Sequence, residues 1–177
     1  MTALDQRSMT LNTIDNAQDG LGNDNLPDSG AGERASERDA VSSIHVFTYG
    51  SLMYEDIFAG VTQCQATPMA ARLSHWARHG LRAREYPGAL PEPSGQSYID
   101  GVVWLNLTEQ ALARLDQFEG SEYIRVGVNV QATDGVTYWA QVYQWQLPAE
   151  VSGQWCVKTF ERLHRDRFLH IHGQRCV

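Results

Sequence analysis

A chain of 177 residues with 42% hydrophobic side chains and a formal charge of −7 is long enough for one domain with a sizeable core. Its acidity and its single lysine, Lys158, exclude a basic stripe for nucleic acid. No run of about 18 apolar residues is present to span a membrane, and no basic patch followed by an apolar run marks a secretory leader. The three cysteines, Cys64, Cys156 and Cys176, form neither a disulfide framework nor a metal-ligand spacing, which points to a reducing cytoplasm.

Residues 1–43 hold no aromatic side chain and eight acidic residues against three arginines, −5 of the total of −7. So little apolar surface does not offset the entropy of ordering. The segment is expected to be a disordered acidic tail, with at most a transient helix near Ala35–Ala40, and the folded domain to run from 44 to 177 with its core at 44–147. Composition switches at Ile44. Residues 44–49 read as the first core strand, and Gly50 ends it in a tight turn through Ser51 and Leu52. A short helix over Met53–Phe58 follows, with Gly60 as its stop. Such a strand–turn–helix passage lines up backbone N–H groups that can hold an anion or a developing oxyanion. Ser51 is also a conceivable nucleophile, although no Gly-x-Ser-x-Gly elbow surrounds it.

Thr67–Arg84 alternates loosely and predicts one or two strands of a curved sheet. Three prolines in Tyr86–Pro93 remove donors and predict an irregular loop bordering a site. Residues 100–107 read as a strand. The spacing then predicts a helix over Thr108–Phe118: Thr108 is a suitable N-cap, Glu109 sits in the dipole-favoured first turn, Ala111, Leu112 and Leu115 make an apolar stripe, and Gly120 is a left-handed stop. Glu119 continues that stripe. A carboxylate there faces the core side and is tolerated for one of two reasons, a structural hydrogen bond or acid–base work.

Beyond it, Tyr123–Val130 alternates with period two, placing Ile124, Val126, Val128 and Val130 on one face. Asp134-Gly135 is a hairpin turn, and Val136–Trp145 returns, with Tyr143 expected to line the sheet's interior. Residues 153–169 read as one helix with Trp155, Phe160, Leu163 and Phe168 on one face. His164, His170 and His172 match no zinc spacing and read as solvated. The order is α+β, a small mixed sheet curled into a barrel of five or six strands flanked by helices.

Three passages taken together carry a resemblance. They are Tyr49-Gly50-Ser51-Leu52, then Tyr86-Pro87-Gly88-Ala89 followed by Gly101-Val102-Val103-Trp104, then Leu115-Asp116-Gln117-Phe118-Glu119-Gly120 with Glu122-Tyr123-Ile124-Arg125. In this order and spacing, over residues 44–147, the chain resembles the gamma-glutamylcyclotransferase-like superfamily, in its branch similar to the plant avirulence-induced proteins and the gamma-glutamylamine cyclotransferases. The resemblance implies a barrel whose pocket lies between the Tyr49–Leu52 turn and Glu119. It also implies a reaction in which the α-amine of a small γ-glutamyl compound attacks its own γ-carbonyl, giving 5-oxoproline and a released amine. Glu119 falls on the family's essential glutamate. The N–H groups of Gly50, Ser51 and Leu52 would hold the substrate, Tyr49 would close the pocket or serve as a core aromatic, Tyr86 would stand on the rim, and Tyr123 would contact substrate. Arg125 would either contact substrate or, the favoured reading, partner Asp116 or Glu122. No metal or organic cofactor is implied. A non-catalytic member binding an acidic metabolite or a protein partner stays open, as do the leaving amine and the oligomeric state.

Overall fold

The structure, a computed structural model, describes residues 43–93 and 95–172. Residues 1–42, on which the expectation of an acidic tail rests, lie outside the described residues, as does Cys176. Five strands close a barrel in the order β1-β5-β2-β6-β7, formed by Ile44–Thr48 (β1), Thr67–Ser74 (β2), Tyr98–Leu107 (β5), Tyr123–Ala132 (β6) and Thr137–Trp145 (β7). All of its pairings are antiparallel except the closing one, where β1 runs parallel to β7 with Val46 opposite Gln141. Period-two alternation sorts the barrel's side chains into two cores. Phe47, Leu73, Ile99, Val103, Val130 and Val142 fill the interior. Val46, Trp104, Leu107 and Tyr143 point outward and are buried by the helices Glu55–Thr62 (α1) and Glu109–Glu119 (α2), through Ile57, Phe58, Ala111 and Leu115. Phe58 stacks on Trp104 at 4.0 Å between ring centroids. Tyr143 therefore belongs to the helix-covered face, not to the barrel interior as its place in the alternation suggested, and Ile124 is 47% exposed instead of sharing the inward face of Val126–Ala132.

α2 forms as its sequence dictates. The Thr108 hydroxyl accepts the Ala111 N–H at 3.1 Å, Leu115 is fully buried, and Gly120 ends the helix at φ 67°. α1 is longer than its sequence suggested. Gly60 lies buried inside it, and Gln63 at φ 53° is its left-handed cap. The ~1 kcal/mol propensity cost of an internal glycine is outweighed by ties on the last turn: Thr62 donates to the Phe58 carbonyl and accepts from Arg114 through its own.

A second sheet, order β4-β3-β8, stands beside the barrel and was not foreseen. It consists of Trp76–Leu81 (β3), Pro87–Pro91 (β4) and Val151–Gln154 (β8). The proline segment is thus a strand, not an irregular loop. Its prolines occupy the first and last positions of an edge strand, where a missing N–H breaks no ladder. The single helix expected over 153–169 is instead β8 followed by Val157–Leu163 (α3) and Arg165–His172 (α4). Gly153 at φ 74° and His164 at φ −128° are incompatible with one continuous helix. Leu163 is 60% exposed, whereas Phe160 is buried. No helix among the described residues is long and apolar enough to cross a membrane.

Candidate active site

The turn after β1 is fixed from both sides. Trp104 donates its indole N–H to the Thr48 hydroxyl and to the Leu52 carbonyl, both at 3.1 Å, and the Thr48 hydroxyl donates in turn to Leu52 O. Arg78 donates to the Tyr49 carbonyl at 2.9 Å. A side chain on Gly50 would meet the Pro87 ring at 2.9 Å, and one on Gly101 would meet the Thr48 carbonyl at 2.3 Å. Both positions need glycine because the Pro87 ring and the Thr48 carbonyl approach so closely. The peptides of Ser51 and Leu52 open a 3₁₀ turn, so their N–H groups are the ones a helical start leaves without intrahelical partners.

A cavity of about 190 Å³ lies between this turn and the end of α2. Its wall contains every residue singled out from sequence: Tyr49, Gly50, Ser51, Leu52, Tyr86, Glu119 and Tyr123. Tyr49 combines the two roles considered for it. It is buried in the interior core, borders the cavity, donates its hydroxyl to the Tyr143 carbonyl and accepts the Ala89 N–H at 3.2 Å. Tyr123 donates to the Pro87 carbonyl at 2.8 Å. Tyr86 sits half-buried in a network in which Arg84 donates to its hydroxyl at 2.6 Å, while Arg84 and Tyr86 together hold Glu122. Tyr143 donates to Asp116 at 2.7 Å, and Arg125 pairs with the same carboxylate at 3.2 Å, the partnership expected for it.

Glu119 stands apart from these carboxylates. Among the described residues nothing donates a hydrogen bond to it and no cation pairs with it. Although the residue as a whole keeps partial exposure, its carboxyl is desolvated, and burial pushes it from 4.5 up to about 8. Burial, and after it the Glu119 charge, also raises Tyr49, while Tyr123 and Tyr143 are raised above all by burial. All three phenols stay protonated and act as donors. The arrangement offers a carboxyl able to give or take a proton near neutrality, facing a turn of free backbone donors across an aromatic-walled space. Among the described residues no group of three His, Cys, Asp or Glu is placed to hold a metal.

Sequence reasoning missed the wall contributed by α2 and α4. Phe118, Phe168 and His172 border the cavity, and His172 lies edge-on to Phe118 at 5.1 Å and tilted to Phe168 at 4.5 Å. It is therefore not a solvated histidine, although His170 is exposed. Phe168 was legible as an apolar helical position, but nothing in the sequence places His172 beside Phe118.

Comparison with known proteins agrees with this fold. Protein AIG2 B of Arabidopsis thaliana is 31% identical over 127 residues, 70% of this chain and 74% of that protein. A solution structure of another Arabidopsis thaliana protein superposes with a TM-score of 0.57 at 28% identity, covering 75% of this chain and 90% of that one. A gamma-glutamyl cyclotransferase structure shares the fold with a TM-score of 0.51 at 19% identity, covering 63% and 69%. Residues 46–157 match the family described as gamma-glutamyl cyclotransferase, AIG2-like, and the chain belongs to that family.

Proposed function

We propose that the protein cyclises the γ-glutamyl group of a small γ-glutamyl compound to 5-oxoproline, with Glu119 carrying the proton. The observation that carries this reading is the unpaired, desolvated Glu119 carboxyl sharing one cavity with the Gly50–Leu52 turn. An α-ammonium ionises near pH 8, so a carboxyl held at about 8 exchanges a proton with it at little cost. With the substrate's amine neutral, ionised Glu119 takes a proton from it as the nitrogen forms a bond to the γ-carbonyl carbon. The backbone N–H groups of Ser51 and Leu52 receive the charge on oxygen or the substrate carboxylate. The bond to the leaving nitrogen then breaks as Glu119 returns the proton to it. Tyr49 and Tyr123 keep the wall rigid and neutral, and Tyr86 with Arg84 keeps Glu122 out of the chemistry. Because the attack is intramolecular, holding the substrate in a ring-like pose supplies much of the acceleration, on the order of 7–11 kcal/mol for well-oriented reactions of this kind.

The test is release of 5-oxoproline from a panel of γ-glutamyl amino acids, γ-glutamylamines and glutathione. Turnover of at least one, abolished in Glu119→Gln, supports the assignment. Failure to release 5-oxoproline from any of them rejects it, and thermal stabilisation by those compounds without product would turn the reading to a binding protein built on the same pocket.

A further inference from the structure

We infer that α4 is the specificity wall of the pocket: Phe168 and His172, with Phe118, receive the leaving amine's substituent and select γ-glutamyl amides of uncharged apolar amines, aromatic ones foremost, over γ-glutamyl compounds whose leaving half carries a carboxylate. This rests on the cyclotransferase reading of the site. α4 lies beyond residues 46–157, the segment matched to the family, and its Phe168 and His172 line the cavity. Phe168 meets Phe118 edge-on at 6.3 Å and is backed by Phe160 at 5.7 Å, and His172 packs against both Phe118 and Phe168. The three rings line the same cavity as Glu119, and ring edges and faces pack well on apolar and aromatic groups.

Charge points the same way. The cavity is lined by two acidic side chains, Glu119 and Glu122, by the imidazole of His172, and by no lysine or arginine among the described residues. The nearby guanidinium groups are already engaged, Arg84 with Glu122 and Arg125 with Asp116. The turn donors of Ser51 and Leu52 serve the glutamyl half. A second carboxylate, on the leaving half, would lose water and meet no unengaged guanidinium or ammonium in return. Position completes the argument. The leaving nitrogen must lie within reach of Glu119 to take up its proton, and Phe118, Phe168 and His172 share the cavity with Glu119, which leaves this ring cluster to receive the amine's substituent. The other wall, Tyr86 with Glu122, is closed on itself through Arg84.

The experiment measures 5-oxoproline release by the full chain from γ-glutamyl-phenethylamide, γ-glutamyl-ethylamide, γ-glutamyl-aspartate and glutathione. The expected kcat/KM for the phenethylamide exceeds that for glutathione and γ-glutamyl-aspartate at least tenfold. Phe168→Ala and His172→Ala should each lower the phenethylamide-to-ethylamide ratio by about tenfold, the scale of losing an apolar contact in a pocket. Ile171→Ala, on the same helix but 55% exposed, should keep the ratio. Phe168 is also packed on Phe160, so if its variant does not fold, His172→Ala at the end of α4 decides. Preference for the carboxylate-bearing compounds, or a ratio within twofold of the parent in His172→Ala, overturns the inference while leaving the cyclotransferase reading intact. Turnover of none of the four overturns the inference, and the cyclotransferase reading falls with it only if the wider panel of γ-glutamyl compounds also releases no 5-oxoproline.

Discussion

Asp116, Glu119 and Glu122 follow one another at intervals of three along the end of α2 and the turn after it, and they have opposite fates. Asp116 accepts from Tyr143 and pairs with Arg125; Glu122 is gripped by Arg84 and Tyr86. Each outer carboxylate sits among donors that stabilise its charge. The middle one has none of these and is desolvated instead. Equal chemistry at equal spacing is thus divided into two partnered acids and one desolvated one by where the surrounding chain sends its donors, Arg125 and Tyr143 from β6 and β7 to one side and Arg84 and Tyr86 from the β3–β4 connection to the other.

Several variants would break or sharpen that contrast. The largest effect is expected on turnover. Glu119→Gln should lower kcat/KM by about 10²–10⁴, the usual worth of a positioned acid–base group, whereas Glu122→Gln should lower it less than tenfold; comparable losses in steady-state kinetics would erase the distinction. In the parent protein kcat/KM should rise with pH as Glu119 ionises and level off above its value of about 8, a limb that a pH–rate profile would reveal and that a profile flat from 6 to 9 would refute.

Stability should carry the same signature with a definite sign. The folded state holds the Glu119 proton up to about pH 8, while the unfolded chain releases it near the usual carboxylate value. Between those two values the native state binds more protons, so stability falls as pH rises. Glu119→Gln removes this loss. Its unfolding free energy should match the parent's near pH 4 and exceed it above pH 8, by up to a few kcal/mol, an upper bound given the residue's partial exposure. Next in size, Tyr49→Phe leaves the Ala89 N–H and the Tyr143 carbonyl without their partner and should cost about 1–3 kcal/mol in denaturant unfolding. The smallest effect belongs to Asp116→Asn. Its pair with Arg125 is partly solvated and should be worth under about 1 kcal/mol; a larger loss would mean that Asp116 is more than a structural partner.

The barrel and α2 were legible because their patterns are local. Val126, Val128 and Val130 alternate on β6, and Ala111 and Leu115 recur at helical spacing, each cue fixing which face is buried. The second sheet was hidden because its edge strand is framed by prolines that argue against regular structure unless the partner strand β3 is known. The break at His164 and the approach of His172 to Phe118 depend on packing across the chain and leave no periodic trace. Glu119 stood out because it violates a local rule, a carboxylate on an apolar stripe. Its lack of a partner became visible only when Arg84 and Arg125 were seen to turn to its neighbours.

The parallel pairing of β1 with β7 has a consequence for how the molecule comes into being. It joins Val46 to Gln141, and the Tyr49–Tyr143 hydrogen bond crosses the same seam, so the pocket spans the longest loop the barrel must close. Closing such a loop is an entropic step that contacts reward only afterwards. A nascent chain that has emerged through β6 already carries Glu119 and the Gly50 turn but has no β7 wall between them. The Tyr143 wall of the pocket is in place only once the last barrel strand docks, and Phe168 and His172 on α4 follow that strand in the chain.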